Sequence, residues 1–352
     1  MRKLLGACVV TAALLGCSAP AIAIINGQPA DPDNFPYFAI VDGCGGALIA
    51  PDRVLTAGHC IDNLVEGQPI WFGAGPVRRN ILRAAANPRW QKLIRAGNSI
   101  GSYDTGIVQL DAPITTITPL RLATAADAAL WAPGAAVTIV GQGSDTFEDS
   151  GFGPVRTAQL ETASDSECKQ RLRKIDEESA FEYKAATMLC TIDPDRKSPY
   201  TSPCYGDSGS PLTSTAADGA AVLVGVDNWG IACGALGGDP EMFAEVPQIS
   251  AFAQSATPVW RPLALDRPEL TGTTRVGRTV HCTMPHYADP QPTHVTRKFI
   301  TVDSSGDGVV VAHGGSLKIG RALRHENLSC LVTADNAGGD VTSYAYRVSK
   351  VR

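Results

Sequence analysis

Hydrophobic positions fall along this chain in short runs separated by Gly, Pro, Asp and Asn. Examples are residues 37–41, 46–49, 54–55, 106–110, 137–140 and 222–226. Each run is strand-length and rich in β-branched residues. Helical periodicity is confined to 164–173 and 247–254. Many short strands with few helices predict an all-β chain, built as barrels or sandwiches. The pattern breaks at Pro258, Pro262 and Pro268, which predict a linker over 258–267. Strand-like runs resume at 308–311 and 328–332, so residues 268–352 are expected to form a second domain, and 24–257 the first.

The first 23 residues differ from both. Arg2 and Lys3 precede an apolar stretch from Leu4 to Gly16, and Ala21-Ile22-Ala23 has the small-x-small form of a signal-peptide cleavage site. A leader over 1–23 and a secreted mature chain follow as expectations. Leu14-Leu15-Gly16-Cys17 loosely resembles a bacterial lipobox, which leaves a lipid anchor on Cys17 as the alternative. Of 10 cysteines, Cys8 and Cys17 lie in the leader, and an even number remains. With no C-x-x-C unit, disulfides in an oxidising compartment are expected rather than zinc.

Composition narrows the function classes. The chain is 44% hydrophobic and 18% charged, with a formal net charge of −5. Its one basic group (Lys169, Arg171, Arg173, Lys174) is offset by Asp176, Glu177 and Glu178. That run reads as a solvated helix face, and nucleic acid is not an expected partner. Neither a cofactor nor a metal is expected. His281, His286, His294, His313 and His325 all follow the linker, at spacings that fit no metal-ligand pattern, whereas His59 is the only histidine before it.

Three segments carry candidate chemistry: Thr56-Ala57-Gly58-His59-Cys60, Asp104-Thr105-Gly106, and Gly206-Asp207-Ser208-Gly209-Ser210-Pro211. Cleaving an amide by acyl transfer needs a nucleophile stronger than a neutral hydroxyl. A serine becomes one when an imidazole takes its proton and a buried carboxylate fixes that imidazole's tautomer. Ser208 is therefore the candidate nucleophile, His59 the general base and then acid, and Asp104 the orienting carboxylate. Asp111 is a rival, but it sits in a Leu-Asp-Ala-Pro turn after the strand. The backbone N–H groups of Gly206 and Ser208 are the candidate oxyanion donors. In the second domain Asp303–Gly308 reads as a hairpin turn rather than a second site or a calcium loop.

In this order the three segments resemble the trypsin/chymotrypsin family of serine proteases, over residues 24 to 256. The resemblance implies a double β-barrel, endopeptidase activity on protein or peptide substrates, and the bridges Cys44–Cys60, Cys168–Cys190 and Cys204–Cys233. Gly141-Gln142-Gly143 resembles the family's Gly-Trp-Gly. Ile24-Ile25-Asn26-Gly27 resembles its mature start, implying that a new α-ammonium at Ile24 pairs with Asp207. Cleavage after Ala23 would then yield an active enzyme directly. Ser202 aligns with the pocket floor where trypsins place Asp, and a neutral floor implies an apolar or mixed P1 preference. Asn228-Trp229-Gly230 resembles the substrate-pairing segment, with Asn in place of the usual Ser, and Glu241 falls near the opposite pocket wall, where a carboxylate could reach a basic P1 side chain.

The second domain, around Pro268–Gly272, Arg275–Cys282 and Leu328–Gly339, resembles bacterial immunoglobulin-like modules. That implies a β-sandwich bridged by Cys282–Cys330, with Phe299 where the usual core Trp is absent and with a surface or protein ligand of its own. A monomer is expected. Two other readings are a binding protein that keeps a protease-like fold and an esterase. The first would be favoured by a missing triad residue, the second by Gly-x-Ser-x-Gly with a later histidine; neither feature occurs before the linker.

Overall fold

The computed structural model describes residues 24–73, 77–96, 101–144, 146, 153–303 and 308–352. The expected leader, with Cys8 and Cys17, and most of the turn expected over 303–308 lie outside the described residues.

Six strands close a first barrel: β1 (Phe38–Val41), β2 (Cys44–Ala50), β3 (Arg53–Thr56), β4 (Pro69–Phe72), β5 (Arg78–Ala86) and β6 (Gly106–Leu110), in the order β1-β2-β3-β6-β5-β4. Six more close a second: β7 (Ala136–Gly141), β8 (Arg156–Thr162), β9 (Met188–Ile192), β10 (Pro211–Thr215), β11 (Ala221–Trp229) and β12 (Glu241–Glu245). Their ring runs β7-β8-β9-β12-β11-β10 and returns to β7. Phe38, Leu48, Leu55 and Phe72 in the first barrel and Ile139, Leu160, Leu212 and Phe243 in the second join one continuous core. Each such side chain contributes about 1.5–3 kcal/mol by leaving water.

Helices are few. α2 (Asp165–Ile175) and α4 (Val246–Ala253) match the two helical stretches expected. α1 (Pro88–Arg95) and α3 (Glu177–Glu182) were not expected and are opened by their caps. Asn87 accepts the Arg89 N–H at 3.0 Å with Pro88 opening the helix, and Asp176 accepts the Ser179 N–H at 2.6 Å. The mixed charges around Lys169 pair along α2 and into α3, Glu167 with Arg171 and Arg173 with Glu177.

Residues 268–352 form two sheets. One holds β13 (Leu270–Gly272), β14 (Thr279–Cys282) and β17 (Ser316–Lys318); the other holds β15 (His294–Val302), β16 (Gly308–His313), β18 (Asn327–Asn336), β19 (Gly339–Tyr344) and β20 (Ser349–Lys350). The Cys282–Cys330 disulfide bridges β14 to β18, and Phe299 is fully buried beside it. All five histidines of this region are exposed.

The segment expected as a linker, 258–267, packs partly against the first barrel. Leu263 joins the barrel core, and the Arg261 N–H donates to Ala84 O at 3.0 Å. Arg261 itself is 1% exposed, with its guanidinium held by Asp62 at 3.0 Å.

Candidate active site

His59 opens a single turn, His59–Ile61, shortly after β3, and Asp104 sits just before β6. β3 and β6 are paired, so the fold brings the two residues together. Gly58 makes the approach possible: a Cβ there would lie 2.7 Å from Asp104 Oδ1 and 2.8 Å from the Trp90 ring. Asp104 is 4% exposed and grips His59 twice. Its Oδ2 lies 2.7 Å from His59 Nδ1, and its Oδ1 accepts the His59 backbone N–H at 2.9 Å. An ionised carboxylate only accepts, so Nδ1 carries the proton and Nε2 is left free to act as a base. Burial alone would lower the His59 pKa. The charge and hydrogen bond of Asp104, helped by Asp62, outweigh it and raise the value above 6.5. Asp111 lies apart, bonded to the Asn80 backbone at 3.0 Å and side chain at 2.8 Å.

Ser208 follows Asp207 in a loop shaped by glycines. Gly209 adopts φ +81°, and a Cβ on it would lie 2.2 Å from Thr56 Oγ1 and 2.4 Å from Gly45 O. The Ser208 carbonyl accepts the Gly45 N–H at 2.8 Å, and Cys60 Sγ lies 3.7 Å from the same oxygen. Thus the Cys44–Cys60 bridge links β2, the His59 turn and the serine loop. Cys44, His59 and Cys60 offer donor atoms within 4.8 Å of one another, but the two sulfurs are bonded to each other and are not thiolate ligands. Among the described residues, nothing accepts a hydrogen bond from the Gly206 or Ser208 backbone N–H.

Asp207 is fully buried. Its Oδ1 accepts the Gly143 N–H at 2.8 Å and its Oδ2 the Cys204 N–H at 3.0 Å, with the Ile24 and Gln142 amides also bonded to it. Burial pushes this carboxyl from 3.8 up to about 7, although the amides oppose the shift. The Gly-x-Gly at 141–143 is steric: a Cβ on Gly141 would lie 2.1 Å from Asp207 Oδ1, and one on Gly143 would lie 2.5 Å from Tyr205 O. Ile24 is buried at φ +51°, and the Ile25 N–H donates to Ser202 O at 3.0 Å.

A cavity of about 200 Å³ opens beside Ser208, walled by Trp229, Gly230, Cys204 and Cys233. The Cys204–Cys233 disulfide closes one side, and Cys168–Cys190 lies behind in a separate small core. Ser202, expected at the floor, is buried and is not among the lining residues. Glu241 is: a Cβ on Gly230 would lie 2.0 Å from its Oε2, so that glycine yields its volume to the carboxylate.

A second carboxylate, Asp227, also lines the cavity. Its Oδ1 is buried and has no hydrogen-bond partner among the described residues. Burial, and then the charge of neighbouring carboxylates, push both groups well above their ordinary values. The readable signal for Asp227 was a charge ending the apolar run 222–226. Asn228 donates from Nδ2 to Gly101 O at 2.5 Å. It thereby props the turn that carries Asp104, whose own N–H reaches the same carbonyl at 3.4 Å.

The chain is similar in sequence to known proteases. The trypsin family profile matches residues 24–253. A trypsin of Saccharopolyspora erythraea is 29% identical over 236 residues, covering 63% of this chain and 93% of its own. A trypsin-like protease of Streptomyces glaucescens is 30% identical, over 66% of this chain and 80% of its own. The lectizyme of Glossina austeni is 28% identical, over 60% and 78% respectively.

Proposed function

The chain belongs to the trypsin family of serine proteases, and from that premise we propose that it is an active, secreted serine endopeptidase. The observation that carries this reading is the double grip of Asp104 on His59 beside a serine loop whose Gly206 and Ser208 amides are unengaged.

In the proposed reaction, Ser208 Oγ attacks the scissile carbonyl as His59 Nε2 takes its proton. Asp104 stabilises the resulting imidazolium, and the two amides hold the oxyanion. His59 returns the proton to the leaving amine, which leaves an acyl-enzyme. Water, activated by the same imidazole, then releases the acid.

The leader over 1–23 is proposed to be removed after Ala23, so that the Ile24 ammonium compensates Asp207 and the enzyme needs no separate propeptide. The proposed layout is a catalytic domain over 24–257, a connecting strap over 258–267 and an immunoglobulin-like domain over 268–352, in a monomer. The two bridged sheets of the last support that assignment.

The P1 residue proposed here departs from the apolar or mixed preference expected from Ser202. Ser202 does not line the cavity, whereas Asp227 and Glu241 do. Two buried carboxylates facing one small space favour a cation, so the proposed P1 residue is Lys or Arg.

A serine-directed fluorophosphonate tests the enzyme reading. Wild type is expected to label and Ser208→Ala to remain unlabelled. Failure of correctly folded wild type to label overturns the reading.

A further inference from the structure

A cavity of about 1290 Å³ is built entirely from residues between 272 and 352, away from both barrels. Six cations line it: Arg275, Arg321, Arg324, Arg347, Lys350 and Arg352. Among the described residues, no Asp or Glu lines it, and none of the six cations has an ion-pair partner. They come from three separate stretches of chain, so no basic run marks them in the sequence. The cluster also runs against the chain as a whole, where 35 acidic residues outnumber 30 Lys and Arg. Like charges gathered in one hollow repel, and the fold gains nothing by gathering them.

The backbone that carries these cations is tied together. The Val276 N–H donates to Arg352 O at 2.9 Å, and the Arg352 N–H donates to Thr274 O at 3.0 Å. β20 pairs with Asn327 and Leu328, at the start of β18. The other end of β18 leads into a turn that rests on the catalytic domain. There the Gly338 carbonyl accepts from Gln91 Nε2 at 3.1 Å, and Asn336 Nδ2 donates to Trp260 O at 3.2 Å. Neither turn glycine has room for a side chain: a Cβ on Gly338 would lie 2.3 Å from Trp260 O, and one on Gly339 would lie 1.6 Å from Gln91 Nε2. At the strand rise per residue, β18 holds the cavity roughly 25 Å from that contact.

We propose that this cavity binds an acidic polysaccharide and tethers the protease to it, with the catalytic domain held at the far end of β18. Arginine dominates the lining, and its planar fork matches carboxylate, sulfate and phosphate groups two bonds at a time. Several cations around one hollow suit a chain with repeated charges better than a single small anion. Thr273 and Thr274 add hydroxyls that can bond those of a sugar. The described lining holds no aromatic ring, so bases of a single-stranded nucleic acid would find no stacking platform. A concave site also fits a chain better than the flat surface of a lipid bilayer.

The site does not depend on the catalytic reading, because binding is measured on a Ser208→Ala chain. Fluorescence anisotropy compares labelled heparin octasaccharide, octagalacturonate and octadeoxythymidylate at about 0.1 M salt. Both glycans are expected to bind more tightly than the nucleotide, and their ratio tells whether sulfate or carboxylate is preferred. Arg321→Glu with Arg324→Glu, both exposed, is expected to raise the Kd for the tighter glycan about tenfold or more and to flatten its salt dependence. Lys174→Glu with Lys197→Glu makes the same change in net charge outside the cavity and is expected to alter Kd by less than about twofold. Equal weakening by the two pairs, or no glycan binding by the parent chain, overturns the site. Tighter binding of the nucleotide overturns the ligand class.

Discussion

Two regions around Ser208 handle buried carboxylates in opposite ways. In the catalytic loops every such group is occupied: Asp104 by the ring and backbone of His59, Asp207 by several backbone amides. In the pocket wall Asp227 Oδ1 has no partner among the described residues, and Glu241 is raised by burial with no hydrogen bond opposing the shift. Satisfied carboxylates hold geometry, because removing either partner strands a charge in a low-dielectric site. On the proposed reading, the unpartnered oxygen of Asp227 leaves a place for a cation of the substrate. The difference separates the machinery of the reaction from the selection of what it acts on.

The largest expected effect comes from breaking the satisfied side. Asp104→Asn keeps the shape but places an amide donor against His59 Nδ1. The imidazole must then accept there and carry its proton on Nε2, where it no longer serves as a base. A fall in kcat of about 10⁴-fold with little change in KM is expected. Steady-state kinetics on titrated enzyme check it, and a loss below tenfold would remove Asp104 from its role.

Asp207 sharpens the comparison, because its cationic partner is proposed to form only on processing. While Ile24 remains in amide linkage, the folded carboxyl titrates at about 7 against 3.8 unfolded. The folded state then binds more protons than the unfolded state between those values, so stability is full below pH 3.8 and falls as pH rises through 7. The shift amounts to on the order of 4 kcal/mol. A free Ile24 ammonium favours the ionised form and removes most of that slope. Denaturant unfolding from pH 4 to 7, on Ser208→Ala chains with and without residues before Ile24, is expected to show the steeper decline only in the extended chain. Asp227→Asn and Glu241→Gln in both chains remove the two neighbouring carboxyls that the charge of Asp207 also raises. Equal slopes would dissociate Ile24 from Asp207.

Much of this arrangement was legible in residue order. Short apolar runs marked four strands of the first barrel and two of the second, and the glycines around Ser208 marked a backbone free to take positive φ. What spacing does not convey is how far a side chain reaches. Counting six residues back from Ser208 put Ser202 at the pocket floor. Yet the cavity is bounded by Glu241, which comes in from a neighbouring strand and fills the space that Gly230 leaves. Asp227 was hidden because strand β11 is buried on both faces, so alternation gave no inward direction. The docking of the C-terminal turn depends on Gly338, Gly339 and Gln91, which are about 247 residues apart in the chain and carry no shared local pattern.

Glu241→Gln is the smallest perturbation and the most direct test of the unsatisfied side. The amide keeps the volume that Gly230 accommodates, so folding and labelling of Ser208 should be unchanged. It removes one of the two carboxyls that a bound cation would ionise, leaving Asp227 to hold the cation. Preference for Lys or Arg over Ala at P1 is therefore expected to fall about ten- to hundredfold, through loss of the basic substrates and not gain of the apolar one. Asp227→Asn in the same background should remove the remainder. Unchanged Lys or Arg cleavage in the double variant would place the cation elsewhere and return the pocket to the neutral-floor expectation drawn from Ser202.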